Sequence, residues 1–410
     1  MKAYVNFMSN AVLAMMVICA LLLPWNFLVP QCGTFLVFFW LIGFNWKEKW
    51  ENICKSPLVW IWIAFCILYV TGYFWSANKS EAAISLAVKL GLFIFPPVFA
   101  SMRLDAKQTK WIFGAYIIGL TSVGLFMLVR AMLLYSKDGV NHFSYQDFSE
   151  HIMHPSYISL YYVVGVMLLF HGVLLHKFSI RSKIISIGLV LFFSIMVFML
   201  ASKTGIISLV FAFLFYIGYA IVRFRRYAVA GGALVALVAG FFIAVNVFPV
   251  LAERLKEMTE VISSSAPIDP KDTESNRVRL LIWKVDRELI AQHPFAGVGT
   301  GDVQDSLEVK YLEKGMTGAK EKNLNAHSQY FQTGIALGIP GIILLCGIFL
   351  CTIIAGIRRR FGFIVLFTLL LMFNFIPESM LQVQTGTLFV GFFYSLVLFA
   401  ADRSILSPKL

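Results

Sequence analysis

Charged residues are scarce in this chain of 410 residues, and their scarcity excludes most classes of protein. Only 14% of the residues are charged, 59% are hydrophobic, and the mean hydropathy is +0.79. A soluble protein has about 25% charged and about 45–50% apolar residues. A disordered chain is excluded as well, because 15% of the residues are aromatic. The composition therefore predicts an all-α polytopic membrane protein.

Several chemical signatures are also missing. The chain has no Walker motif, which argues against ATP-driven transport. Its six cysteines are scattered without a CxxC pair, and we interpret them as small apolar residues. His151 and His154 are three residues apart, but no third ligand follows at metal spacing. We therefore expect neither a metal site nor a cofactor.

Twelve apolar runs are present, and each approaches the roughly 20 residues that a transmembrane helix needs. They lie near residues 9–29, 31–45, 57–75, 82–100, 111–135, 154–176, 184–201, 204–222, 227–249, 328–355, 361–376 and 381–401. The second and eleventh runs are short enough to tilt or re-enter. The chain is thereby divided into spans one to nine (1–249), a long hydrophilic loop (250–327) and spans ten to twelve (328–410).

The basic residues alternate between the two sides of these spans and predict an orientation. One side, which also holds both termini, carries only four acidic residues, namely Glu48, Glu51, Asp105 and Asp402. Its basic residues are Lys2, Lys47, Lys49, Lys55, Arg103, Lys107, Lys110, Lys177, Arg181, Lys183, Arg223, Arg225, Arg226, Arg358, Arg359, Arg360, Arg403 and Lys409. The short loops of the other side hold only Lys79, Lys137 and Lys203. We expect cytoplasmic termini and an external long loop, so the net charge of +12 reflects topology and not nucleic-acid binding.

The long loop contains one predicted helix, which begins at a cap on Ser275 or Asn276 and runs to about Gln292, before His293-Pro294. Its apolar stripe predicts an amphipathic helix along the membrane surface. That stripe consists of Leu280, Leu281 and Val285. Its basic residues either remain solvated or form a cradle for phosphate oxygens. They are Arg279 and Arg287, on one face with Trp283, and Arg277 and Lys284 on another.

A glycine-rich segment follows this helix. Residues 293–302 read HPFAGVGTGD, and Gly315 and Gly318 come later. Glycines allow tight turns or a close approach of the backbone to a ligand, so irregular backbone is expected here. The spacing departs from the GxGxxG nucleotide fingerprint.

Polar residues at the outer ends of the spans are the remaining candidates. His327, followed closely by Tyr330, is either a general base or a structural residue at the mouth of the tenth span. Basic residues within or beside spans are functional candidates because burying their charge is costly, although a position near a span end also permits snorkelling. These residues are Lys89, Arg130 and Lys203. His154 and Tyr157 form another polar group before the sixth span.

Four motifs in order carry a family resemblance. They are Ser202-Lys203-Thr204-Gly205, then Arg279 four residues before Trp283, then His293-Pro294-x-x-Gly297-x-Gly299-x-Gly301, and His327-Ser328-Gln329-Tyr330. With a long loop before the tenth span, this pattern resembles the bacterial O-antigen ligase and polymerase superfamily. The family usually has Arg at the position of Lys203 and commonly Asn at that of Ser328.

The resemblance implies a fold similar to the GT-C membrane glycosyltransferases, and an inverting, metal-independent enzyme. It implies a glycan donor linked to undecaprenyl diphosphate, a lipid A–core acceptor, membrane lipids as surroundings, and a periplasmic site in a Gram-negative inner membrane. We assign catalysis to His327 and Arg279. Substrate binding is assigned to Lys203, Arg277, Arg287, Lys89, Arg130, His154, Tyr157 and Tyr330.

Three other activities would also need residues that bind a lipid-linked diphosphate. An O-antigen polymerase and a protein O-oligosaccharyltransferase use the same kind of donor with another acceptor. A transporter or flippase for a lipid-linked sugar would use the same basic residues to hold the diphosphate. The sequence shows no matched pair of interrupted helices, and such a pair is common in transporters.

Overall fold

A computed structural model describes residues 2–43, 45–175, 179–225, 227–263, 276–401 and 405 of the chain. Throughout these residues the secondary structure is helical, with no strand. The predictions that fall on Ser275, Lys177, Arg226, Asp402, Arg403 and Lys409 lie outside the described residues. The all-α prediction is confirmed.

The helices follow the apolar runs. The first nine elements are α1 (Lys2–Leu22), α2 (Val29–Ile42), α3 (Trp46–Cys54), α4 (Pro57–Trp75), α5 (Lys79–Ala100), α6 (Ala106–Asp138), α7 (Tyr145–Ser149), α8 (Pro155–Leu175) and α9 (Ile180–Met199). The next six are α10 (Lys203–Phe224), α11 (Tyr227–Val247), α12 (Pro249–Ser263), α13 (Asn276–Gln292), α14 (Val303–Glu313) and α15 (Thr317–Glu321). The last three are α16 (Gln329–Arg358), α17 (Gly362–Asn374) and α18 (Gln384–Phe389), which continues as π-helix to Ala400.

Each of the twelve predicted runs coincides with a helix. In the described part of the chain, nine helices are long and apolar enough to cross a membrane. The second run corresponds to the 14-residue α2, and a bend of 113° separates it from α3. The eleventh is the 13-residue α17, and the twelfth, Gln384–Ala400, is also shorter than a full span. The multi-pass architecture is therefore established, while the count of twelve crossings stays a prediction.

Helix α8 lies at the centre of the bundle, with 72% of its span buried. It packs against α6, α9 and α10. Pro155 opens the helix, and proline is favoured there because the first turn has no partner for its missing N–H. The residues just before and after Pro155 are thus held in place by the most buried helix.

The described parts of the hydrophilic stretch after α11 are largely helical, and α13 packs on α12, α14 and α16. The predicted end of α13 at Gln292 is confirmed. Its predicted apolar stripe is wrong in detail, because Leu280 is 42% exposed. The buried face instead follows the spacing i, i+4, i+7, i+11. Its residues are Val278, Ile282, Val285 and Leu289.

The glycine-rich segment attaches this hydrophilic stretch to the bundle. Val298 and Gly299 donate backbone hydrogen bonds to the carbonyls of Ile335 and Ala336 in α16, at 2.8 and 3.1 Å. A Cβ on Gly297, where φ is +67°, would lie 2.3 Å from the carbonyl carbon of Ala336. These glycines therefore allow the segment to pack closely against the backbone of α16. The irregular backbone expected at Gly318 is absent, because this residue lies in α15.

Candidate functional site

Three long helices begin at the same end of the bundle, and their first residues form the floor of a polar cluster. Helices α8, α10 and α16 start at Pro155, Lys203 and Gln329. Ser202 caps α10, because its side chain accepts a hydrogen bond from the N–H of Gly205 at 3.2 Å. The first turns of helices carry partial positive charge, so this end of the bundle favours anions.

A buried carboxylate links these helices to α13. Ser156 Oγ donates to Glu378 Oε1 at 3.1 Å, and Ser202 Oγ donates to Ser156 Oγ at 3.3 Å. Arg279 Nη2 lies 3.7 Å from the same Glu378 oxygen, and Arg279 Nη1 donates to the carbonyl of Pro377 at 3.2 Å. Glu378 is only 7% exposed. The Arg279 guanidinium is therefore held between a buried acid and a backbone carbonyl.

Two further cations border this network on the side of α12. Lys203 Nζ donates to Glu257 at 2.8 Å. The guanidinium of Arg254 lies 3.8 Å from the centre of the Tyr145 ring. Arg254 is also close enough to His154 to act on its charge. Lys203, Arg254 and Arg279 thus lie close enough to act on one another's charge, and we call them the cationic cluster.

His327 lies beside Arg279, just before α16 begins. Its backbone adopts a left-handed conformation with φ of +45°, and its N–H donates to Asn325 Oδ1 at 2.9 Å. The N–H of the next residue, Ser328, donates to Ser379 Oγ at 3.1 Å. The mouth of α16 is thereby tied to the segment that carries Glu378.

Burial, together with the nearby charges of Arg279 and His154, lowers the pKa of His327 to about 3. The imidazole is therefore neutral at pH 7 and has a free lone pair. A neutral imidazole beside a guanidinium can accept a proton from a hydroxyl group while the guanidinium binds an oxyanion.

Five of the predicted residues lie in the cationic cluster or next to it. His154 and Tyr157 stand with their rings 5.6 Å apart, within reach of the charge of Glu378. They join Lys203, Arg279 and His327. Arg277 lies two residues before Arg279 on α13 and is half-buried.

Four other predicted residues lie elsewhere. Lys89 is buried, donates to Ser85 Oγ at 2.8 Å and lies 4.9 Å above the Tyr69 ring. Arg130 donates to the carbonyl of Asp147 and pairs with Glu150. The other two residues, Arg287 and Tyr330, also lie apart from the cluster. Arg287 is exposed on α13, and the hydroxyl of Tyr330 donates to the carbonyl of Met372 at 3.1 Å.

Sequence reasoning missed Glu378 and Arg254. Glu378 follows Pro377 between two apolar helices, and an acid in such a place is itself a functional signal. Arg254 lies in a hydrophilic stretch with many charges, where nothing distinguishes it. Among the described residues, no three His, Cys, Asp or Glu side chains are grouped as metal ligands.

An apolar cavity of about 560 Å³ lies among four of the helices. It is bounded by α8, α9, α10 and α11, and its lining on α11 runs from Ala233 to Val247, a length of about 21 Å at 1.5 Å per residue. Phe248 is the residue immediately before α12, which carries Arg254. One end of the cavity lining is therefore close in sequence to Arg254 of the cationic cluster.

Comparison with known protein families gives one match. Residues 187–346 match the family model described as O-antigen ligase. The matched segment includes Lys203, Arg254, Arg279 and His327, but not Glu378 or His154. A search among curated proteins found no match.

Proposed function

We infer from this match that the chain belongs to the O-antigen ligase superfamily, and from that inference we propose a specific reaction. The family indicates a glycosyl-transferring enzyme with a ligase or polymerase role in O-antigen and lipopolysaccharide synthesis. We propose that this protein transfers O-antigen polysaccharide from undecaprenyl diphosphate to lipid A–core. The donor and acceptor are the lipid-linked partners, and the reaction is inverting and independent of metal.

The observation that carries this proposal is the position of His327 beside the Arg279 guanidinium, where burial favours the neutral imidazole. An acceptor hydroxyl bound here gives its proton to His327, and its oxygen forms the new bond to the anomeric carbon. The bond from that carbon to the diphosphate oxygen breaks, and its electron pair leaves with the diphosphate. Attack from the face opposite the leaving group inverts the anomeric centre.

The leaving diphosphate gains negative charge as this bond breaks, and the cationic cluster stabilises it. Arg279 and Lys203 are held by Glu378 and Glu257, so they are positioned before the reaction and need little reorganisation. A bound diphosphate would also offset the charge of Arg279 and raise the pKa of His327 towards neutrality. The base would then be strongest when the donor is bound.

The apolar cavity supports a lipid-linked donor. Its lining side chains are almost all apolar, so it suits part of a polyprenyl chain whose diphosphate lies at the cationic cluster. The distribution of basic residues supports an inner-membrane protein with cytoplasmic termini and a cluster facing the periplasm.

Transfer by purified protein tests the proposal. Protein in detergent, given lipid-linked glycan donor, lipid A–core and a chelator, with no energy source, is expected to form ligated product. Competing acceptors in the same assay separate the related activities: a growing glycan for a polymerase, or a protein acceptor for an O-oligosaccharyltransferase. If donor crosses liposomes without any new glycosidic bond, the protein is a carrier and the proposal is wrong.

A further inference from the structure

A recess lies at the end of the bundle opposite the cationic cluster. Helix α5 begins beside the glycine-rich segment and ends at Ala100, and its 22 residues span about 33 Å. The recess has a volume of about 280 Å³ and is bounded by α1, by the α2–α3 bend and by the turn after α5. No step of the proposed reaction uses it.

Two cations, Lys49 and Arg103, line this recess. Lys49 Nζ donates to the carbonyls of Trp40 and Gly43 and lies 4.6 Å from the centre of the Trp46 ring. Arg103 Nη1 donates to the carbonyl of Phe399 at 3.0 Å. Neither has a carboxylate within ion-pair distance among the described residues. Carbonyl groups hold these two cations in position without neutralising them.

The opposite wall of the recess is apolar. Met8, Val12 and Leu13 of α1 and Phe39 of α2 line it. The outer face of α2 beside it is exposed and apolar, with Phe35 56% and Phe38 52% accessible, as expected of a surface in contact with acyl chains. The recess therefore has a polar side with two cations and one acid, Glu48, and an apolar side, which matches the two halves of an amphiphile.

Aromatic and basic side chains around the recess mark the boundary of the membrane. Trp46, Trp50, Trp60 and Trp111 are each at least 41% exposed, and Lys107 Nζ lies 4.9 Å from the centre of the Trp111 ring. Tryptophan and basic residues concentrate where acyl chains meet headgroups. A basic pocket between helices at this level is a recognised setting for anionic headgroups.

We propose that this recess binds an anionic phospholipid, whose phosphate lies between Lys49 and Arg103 and whose acyl chains lie along α1 and α2. The site does not depend on the proposed glycosyl transfer. It selects a lipid over a soluble phosphate because only a lipid also covers the apolar wall.

Native mass spectrometry of the purified full chain, titrated with phosphatidylglycerol or phosphatidylcholine, tests this site. We expect at least one tightly bound phosphatidylglycerol, which phosphatidylcholine does not replace. In the double variant Lys49→Gln, Arg103→Gln, the affinity of this site for phosphatidylglycerol is expected to fall by about 25-fold, since each cation near the surface contributes about fivefold. At the lipid concentrations that fill the site in the wild type, the variant should therefore carry one bound phosphatidylglycerol fewer. Soluble glycerol phosphate should not displace the lipid.

The chain offers a matched control. Lys79 also donates to two helix-end carbonyls, at 2.8 and 2.9 Å, and lies over a tyrosine ring, but at the end that carries the cationic cluster. Lys79→Gln should leave binding unchanged, and Lys49→Arg should retain most of it, which also shows that position 49 tolerates substitution. Unchanged binding in the double variant, equal loss in Lys79→Gln, or displacement by glycerol phosphate would overturn the proposal.

Discussion

The two ends of the bundle use the same basic residue types in opposite ways. At the cationic cluster, Arg279 and Lys203 pair with Glu378 and Glu257 and stand near two histidines. At the other end, Lys49 is held by carbonyls and tryptophan rings. The first arrangement fixes charges for chemistry, whereas the second leaves net charge available to a membrane surface. The two ends of the bundle therefore differ in the groups that surround the basic side chains, and not in the type of basic residue.

Replacing His327 should have the largest effect. His327→Ala removes the proposed base, and we expect transfer to fall by about 10²–10⁴-fold. The control is His151→Ala, because the His151 side chain is 68% exposed and lies 3.7 Å from Glu150. Rates are measured with purified protein at saturating donor. Equal loss in both variants would contradict the assigned base.

Arg279 and Arg287 lie on one helix and provide the next contrast. Arg279→Ala should lower transfer by about 10²–10³-fold, as expected for loss of one charge that stabilises a transition state. Arg287 is exposed, so Arg287→Ala should retain nearly full activity. If both variants lose activity alike, the basic residues of α13 act together as a phosphate cradle. The contact of Arg279 with Glu378 would then matter less than we infer.

Glu378 and Glu257 differ in burial, and their Gln variants compare the two acids. Glu378→Gln should lower transfer by about tenfold, or ~1.4 kcal/mol, because Arg279 loses its buried partner. Glu257 has a side chain that is 48% exposed, so solvent weakens its pair and Glu257→Gln should change the rate less. A larger loss in Glu257→Gln would reverse this order.

Asp286 is a buried acid in α13 without a cation, and it gives the smallest effect. Both its carboxylate oxygens lack a hydrogen-bond partner among the described residues, and burial raises its pKa well above the ordinary value. The folded state keeps the proton while the unfolded chain loses it above about pH 4, so this group reduces stability as pH rises.

Asp286→Asn should therefore raise the melting temperature by about 2–4 °C at pH 8, and by less at pH 5. Thermal unfolding in detergent at both values measures the difference. Asp305→Asn is the control, because Asp305 is exposed and accepts a hydrogen bond from Asn78. An equal gain at both pH values would show that ionisation is not the cause.

Much of the fold was predictable because long apolar runs have few structural alternatives in a membrane. The positions of Lys203, Arg279 and His327 followed from motifs near helix ends. Glu378 was missed because its contact with Ser156 joins residues 222 positions apart, and no local pattern encodes such a pairing. Helices α12, α14 and α15 were missed for another reason, since their hydrophilic sequences were interpreted as loop.

The central claim is that the cationic cluster performs chemistry and does not merely hold its ligand. Donor binding and glycan transfer, measured on one purified sample of His327→Ala, test it most directly. The account predicts donor affinity within a few-fold of the wild type and transfer reduced by at least about 100-fold. Normal transfer by this variant, or loss of donor binding that fully explains the lost transfer, would contradict it.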